Sequence, residues 1–127
     1  MQTGYIKARV YTSEAQIPIK DAVFNVYQNY KDKEILIGTR LTNEAGLTDV
    51  IPVAAPDSFL SESQGNYKPF AVVTVRVDHP NYKTLYVNGV QIFAGQISIQ
   101  EVAMQPVDRN VPTDSRAERF DVPEQNL

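Results

Sequence analysis

Very little in this chain has the make-up to carry a reaction. Its single histidine, His79, stands in Asp78-His79-Pro80-Asn81. One histidine cannot supply a two-histidine metal site, and a Ser-His-Asp relay would have to recruit Asp78, whose side chain in an extended segment points to the opposite face. Between an aspartate, a proline and an asparagine, His79 reads as a turn residue. With no cysteine, neither a thiolate zinc site nor a disulfide framework can form, and the redox compartment stays open. The carboxylates Asp49, Asp57, Glu62 and Asp78 have no spacing that demands an acid/base pair, so a solvated role is their default. No glycine-rich phosphate loop occurs. The expectation is a chain with no catalytic residue, no cofactor and no metal.

Binding has more material. There are seven tyrosines and no tryptophan, and Tyr5, Lys7, Arg9 and Tyr11 alternate onto the outward side of one segment. Such a face can stack a sugar ring or meet a protein; it can equally be ordinary cover for a sheet. A second candidate is the stretch from Ala54 to Pro69, with two prolines, three serines and Gly65 around Phe59, Leu60 and Tyr67. A loop above ~12 residues is often functional, so this one reads as a contact surface that includes Phe59 and Tyr67; the alternative is that Phe59 and Leu60 cap one end of the core. The third is the polar run from Asp108 to Leu127, which ends in Phe120, Val122 and Leu127 and can add as an extended strand to an exposed sheet edge.

Charge and length narrow the partners. The net charge is -3 and the twelve Lys and Arg are scattered, which opposes the phosphate-neutralising stripe of a nucleic-acid binder. No apolar stretch approaches the ~20 residues of a membrane span, and Met1-Gln2-Thr3-Gly4 shows neither the basic nor the apolar region of a signal peptide. At 127 residues with 43% apolar content, one domain with a real core is expected.

The positioning elements are strands. Phe70 to Val77 is the longest β-branched run, with Ala71, Val73, Val75 and Val77 on the core face; Pro80 ends it and Tyr82 to Val87 returns. Earlier, Gly4 to Tyr11 buries Ile6, Ala8 and Val10, and Ala22 to Gln28 buries Ala22, Phe24 and Val26 behind an entry that Pro18 confines to an edge or a bend. Glu34 to Thr42 places Ile35, Ile37, Thr39 and Leu41 on one face, with Gly38 marking a bulge or close approach. Asn43-Glu44-Ala45-Gly46 turns it into Leu47 to Val53 as a hairpin. Asn88-Gly89 predicts a tight turn before a short strand from Val90 to Phe93. Ala94-Gly95-Gln96 turns into Ile97 to Pro106, where Ile97 and Ile99 are out of phase with Val102 and Met104, predicting a bulge near Gln100 and Glu101. No segment has the length and 3.6-residue period of a helix. Seven or eight strands imply an all-β, two-sheet antiparallel sandwich over residues 1–107, with a non-globular tail over 108–127.

Two sets of motifs carry a resemblance. Ile17-Pro18-Ile19-Lys20-Asp21-Ala22-Val23-Phe24-Asn25-Val26 resembles the P-(L/I)-x-(G/D)-A-x-V-x-V opening of carboxypeptidase regulatory-like domains, and Thr42-Asn43-Glu44-Ala45-Gly46 resembles their T-(D/N)-x-x-G turn. Asn81-Tyr82 stands where those domains carry Gly-Tyr. The resemblance implies the prealbumin-like sandwich. Hydrolases of the transthyretin-like class depend on several histidines and a Tyr-Arg-Gly-Ser terminus, and this chain has neither. A closer likeness is to the accessory module beside peptidoglycan-binding and spore cortex-lytic domains of Gram-positive, spore-forming bacteria. Val10-Tyr11-Thr12-Ser13, Val53-Ala54-Ala55-Pro56-Asp57, Pro69-Phe70-Ala71, the run from Val90 to Gln100 and Phe120-Asp121-Val122-Pro123 carry it.

Together these readings favour a non-catalytic structural or interaction module that joins other protein subunits through its sheet edges and tail. Synthesis in the cytoplasm and a place in a spore, at a cell surface or in a phage particle are expected. The alternative is an accessory module that binds peptidoglycan or another glycan in a cell-wall lytic system.

Overall fold

The computed structural model describes residues 2–30, 32–55, 70–107 and 117–121, and of residues 117–121 only the strand path is described. Among the described residues there are eight strands: β1 (Gln2–Thr12), β2 (Val23–Tyr30), β3 (Lys33–Leu41), β4 (Ile51–Ala55), β5 (Ala71–His79), β6 (Tyr82–Ile92), β7 (Ile97–Met104) and β8 (Ala117–Asp121). They form two sheets, ordered β4-β1-β7 and β3-β2-β5-β6-β8. The chain is all-β, a two-sheet sandwich. Its pairings are antiparallel except β1 with β7 and β6 with β8, which are parallel.

Alternation makes the core. Ile6, Ala8 and Val10 of β1, Ile51, Val53 and Ala55 of β4, and Val102 and Met104 of β7 face Phe24 and Val26 of β2 and the alternate valines of β5. Val73, Val75 and Val77 are buried, as their phase predicts, and Leu85, Val87, Val90 and Ile92 of β6 complete the layer. Each fully buried Val, Ile or Phe contributes roughly 1.5–3 kcal/mol, so the period-two pattern is what holds the sheets together.

Five local expectations need correction. Asn43–Gly46 does not close a hairpin, because β3 and β4 lie in different sheets. After the turn, Val10 N–H donates to the Gly46 carbonyl at 2.8 Å and Thr48 N–H to Ala8 at 3.1 Å, so the chain is captured by β1 instead of folding back on β3. Ile35, Ile37, Thr39 and Leu41 do not share a buried face: Val26 pairs with Gly38 and Tyr27 with Leu36, leaving Ile37 as a bulged residue that alone packs on the core. Ile35 and Leu41 are exposed on this edge strand. Gly38 is nevertheless a place of close approach, since a Cβ there would lie 2.6 Å from Cγ2 of Ile51.

Asn88-Gly89 is not a turn between strands. Val73 pairs with Val90 and Val75 with Val87, so Asn88 and Gly89 (φ 74°) form a bulge opposite Thr74 inside one continuous β6. The bulge expected near Gln100 and Glu101 is absent: β7 runs beside β1 without a break from Tyr5↔Ile97 to Thr12↔Met104. Its phase conflict is real and is resolved by leaving Ile97 (59% exposed) and Ile99 (58%) on the outer face. Finally, Asp78 and His79 belong to β5, and only Pro80 and Asn81 form the turn.

Candidate interaction surface

β1 is the central strand of the smaller sheet, so its outward residues lie in the middle of an open face. Tyr5, Lys7, Arg9 and Tyr11 all point there, half-buried apart from the exposed Arg9. Arg9 Nη1 lies 3.5 Å from Glu101 Oε1, and its guanidinium stands 5.7 Å from the Tyr11 ring centroid. Both partners of that ion pair are more than half exposed, so it orients the arginine and adds little stability. Register places Ile97 beside Tyr5 and Ile99 beside Lys7, with Pro52 on Tyr5's other side. The face is therefore a tyrosine-lined strip with one anchored cation and two bare isoleucines. Ile97 and Ile99 escaped the sequence reading because the strand was assumed to bury every apolar residue; their phase relative to Val102 and Met104 was the available signal.

A second exposed apolar set lies on the edge strand β3, at Ile35, Leu36 and Leu41. The edge is blunted by its bulge and by Lys33, Glu34 and Arg40, devices that discourage indiscriminate pairing.

The third element is C-terminal. β8 lies parallel to β6, from Thr84↔Ala117 to Asn88↔Asp121, with Phe120 in register with Val87. Just before it along the same edge, Lys83 N–H donates to Gln105 at 2.8 Å and Val107 N–H to Asn81 at 3.1 Å. The β6 edge is thus closed by two pieces of the C-terminal sequence. Phe59, Tyr67, Val122 and Leu127 lie outside the described residues, as do Asp57 and Glu62.

The groups that raised the question of chemistry are used in local structure. Asp78 accepts from Arg76 Nε at 2.9 Å through one oxygen and from Thr84 Oγ1 at 2.8 Å through the other. The hydrogen bond it donates to Asp78 holds the Arg76 guanidinium more firmly charged than usual, and the same arginine stands over the Tyr86 ring at 5.5 Å. His79 Nδ1 accepts from Asn81 N–H at 3.1 Å, and its ring meets the edge of Tyr82 at 5.1 Å. Val23, Asp78, His79, Pro80 and Thr84 line an open depression of about 310 Å³. Among the described residues no three His, Cys, Asp or Glu gather where they could hold a metal ion.

No known protein family matches the chain, and no curated protein matches its sequence. Among solved structures it is similar to catechol 1,2-dioxygenase from Acinetobacter sp. ADP1, with a TM-score of 0.56 and 10% identity over 95% of this chain and 58% of that one. It is similar to 3-chlorocatechol 1,2-dioxygenase from Rhodococcus opacus 1CP, with a TM-score of 0.52 and 12% identity over 84% and 61%. The Bacillus anthracis TIE protein gives 0.51 and 15% identity over 84% of this chain and 17% of that one. The chain spans less than two thirds of the length of each. At these identities the likeness is one of architecture, and what the chain shares with them is a β-sandwich fold.

Proposed function

We propose that this chain is a non-catalytic interaction module that assembles with other protein subunits through its sheet edges and C-terminal segment, in a spore, cell-surface or phage-like setting. The observation that carries the reading is the ladder between β8 and β6: strand addition from the C-terminal sequence is already practised within the chain. In that mode main-chain hydrogen bonds supply affinity and side chains supply selectivity. Exposed Ile35, Leu36, Leu41, Ile97 and Ile99 add apolar contact area near the edges. The engagement of both Asp78 oxygens and of His79 Nδ1 in local bonds supports a structural role for the residues nearest to a catalytic pattern.

A second reading, an accessory peptidoglycan- or glycan-binding module of a spore cortex-lytic system, draws its support from Tyr5, Lys7, Arg9 and Tyr11, where aromatic rings and cations share one open face. The two are separated by light scattering on the full chain and on a Glu118→Pro, Arg119→Pro double variant, run beside co-sedimentation with peptidoglycan. Neighbouring strand residues turn their amides to opposite sides, so one of the two prolines removes an amide that faces β6. At concentrations near ~1 mM the assembly reading expects a parent heavier than one chain, a monomeric variant and no co-sedimentation. Two monomers that both sediment with the wall polymer favour the glycan reading.

A further inference from the structure

The β6 edge raises the question of which chain supplies β8. Gln105 to Val107 runs antiparallel along Lys83 to Asn81, whereas β8 runs parallel along Thr84 to Asn88. The chain leaves β6 at one end heading away from the place where β8 begins. A parallel pairing cannot be closed by a tight turn, so no hairpin geometry ties β8 to its own β6 or sets its register. Everything that specifies the pairing lies in the two strands themselves, and these are identical in every copy.

The connection does not force the choice either. Nine residues, 108–116, separate Val107 from Ala117. Along β6 the two attachment points, Asn81 and Thr84, are three residues or about 10 Å apart, while nine residues reach about 30 Å. The connection is therefore about 20 Å longer than pairing within the chain requires. Within β8, Ala117, Glu118 and Asp121 are poor strand formers, and parallel pairing is the weaker kind per residue, so a strand of five residues with this make-up is not locked in place.

We infer that β8 is exchanged: the Ala117–Asp121 strand of one copy pairs with β6 of a second copy of this chain in the register it uses within its own. The partner is a second copy because the acceptor fits this segment residue for residue, and exchange replaces each ladder bond by an identical one. Exchange rests on the assembly reading above and names its mechanism. The balance follows from concentration. A short connection gives an effective concentration in the millimolar range, so a dilute chain keeps its own strand and exchange sets in near ~1 mM, a concentration that subunits packed in a layer or fibre attain.

The absence of cysteine makes the test clean. Tyr86 and Arg119 are register partners, and neighbouring strands stand about 4.8 Å apart, within disulfide reach. Chains carrying only Tyr86→Cys are mixed with chains carrying only Arg119→Cys, oxidised at ~10 μM and at ~1 mM, and the linked peptides identified by mass. The double variant serves as the within-chain reference. Exchange expects an 86–119 cross-link between the two chains that rises at least tenfold in yield from the lower to the higher concentration, while the double variant closes within itself when dilute. An 86–119 link confined to single chains at both concentrations overturns exchange. If the full chain still assembles under those conditions, exchange alone falls and the assembly reading stands on another edge.

Discussion

Thr42 pins the crossing between the two sheets, and its replacement by valine should cost far more than the loss of one hydroxyl suggests. The residue is buried; its Oγ1 accepts from Ala22 N–H at 2.9 Å and donates to the Ile19 carbonyl at 2.6 Å. Ala22 and Ile19 are buried too, so Thr42→Val strands a donor and an acceptor where water cannot replace the lost partner. An unsatisfied buried group costs about 1–3 kcal/mol. Two of them, less the small gain from an added methyl, come to about 2–4 kcal/mol, or a fall in Tm of roughly 10 °C for a chain of this size. Thr39 is the control: its hydroxyl donates to Asn25 Oδ1 at 2.6 Å, but both residues lie toward solvent, and Thr39→Val should stay within about 0.5 kcal/mol of the parent. Urea unfolding of the three proteins, with equal m-values, measures the difference. A Thr42→Val midpoint indistinguishable from that of Thr39→Val would refute the pinning of the crossing by this hydroxyl.

Gly46→Ala should destabilise by more than about 1 kcal/mol in the same unfolding assay, because Gly46 holds φ at 76° and a Cβ would run into the Val10 carbonyl oxygen. Val75→Asp places an unpaired charge at a fully buried site of the central strand and should cost about 4 kcal/mol or more; a Tm within a few degrees of the parent would contradict the placement of β5. His79→Ala removes one acceptor at the Pro80 turn and should shift stability by less than about 1 kcal/mol. Loss of any turnover measured for the parent on that substitution would overturn the non-catalytic reading.

The strands at the heart of the fold are legible because their alternation is undisturbed: Ile6, Ala8 and Val10, or Val73, Val75 and Val77, admit one inward face. Turn chemistry is legible as well, but not what it joins. Asn43 Oδ1 accepts from Ala45 and Leu47 N–H at 2.9 and 3.0 Å, as a turn asparagine should, and the same four residues serve a crossing between sheets as readily as a hairpin. Gly89 at φ 74° fits a bulge or a turn, and only the partner strand decides. Asp21 stands at φ 62°, which gives a local reason for a glycine-or-aspartate position in the motif that drew the resemblance. The candidate surface divides in the same way. Tyr5, Lys7, Arg9 and Tyr11 could be found from β1 alone, whereas Ile97 and Ile99 join them only through a parallel neighbour more than 85 residues away in sequence. The acceptor edge for Ala117–Asp121 was invisible for the same reason: the tail's composition marks it as extended, and long-range pairing selects β6.

Sedimentation equilibrium of the full chain over a concentration series is the most direct test of the central claim. The account predicts an average mass near the 14.2 kDa of one chain when dilute, rising toward multiples of it as the concentration nears ~1 mM. A mass that stays at 14.2 kDa throughout, in a protein that nonetheless binds peptidoglycan, would contradict it.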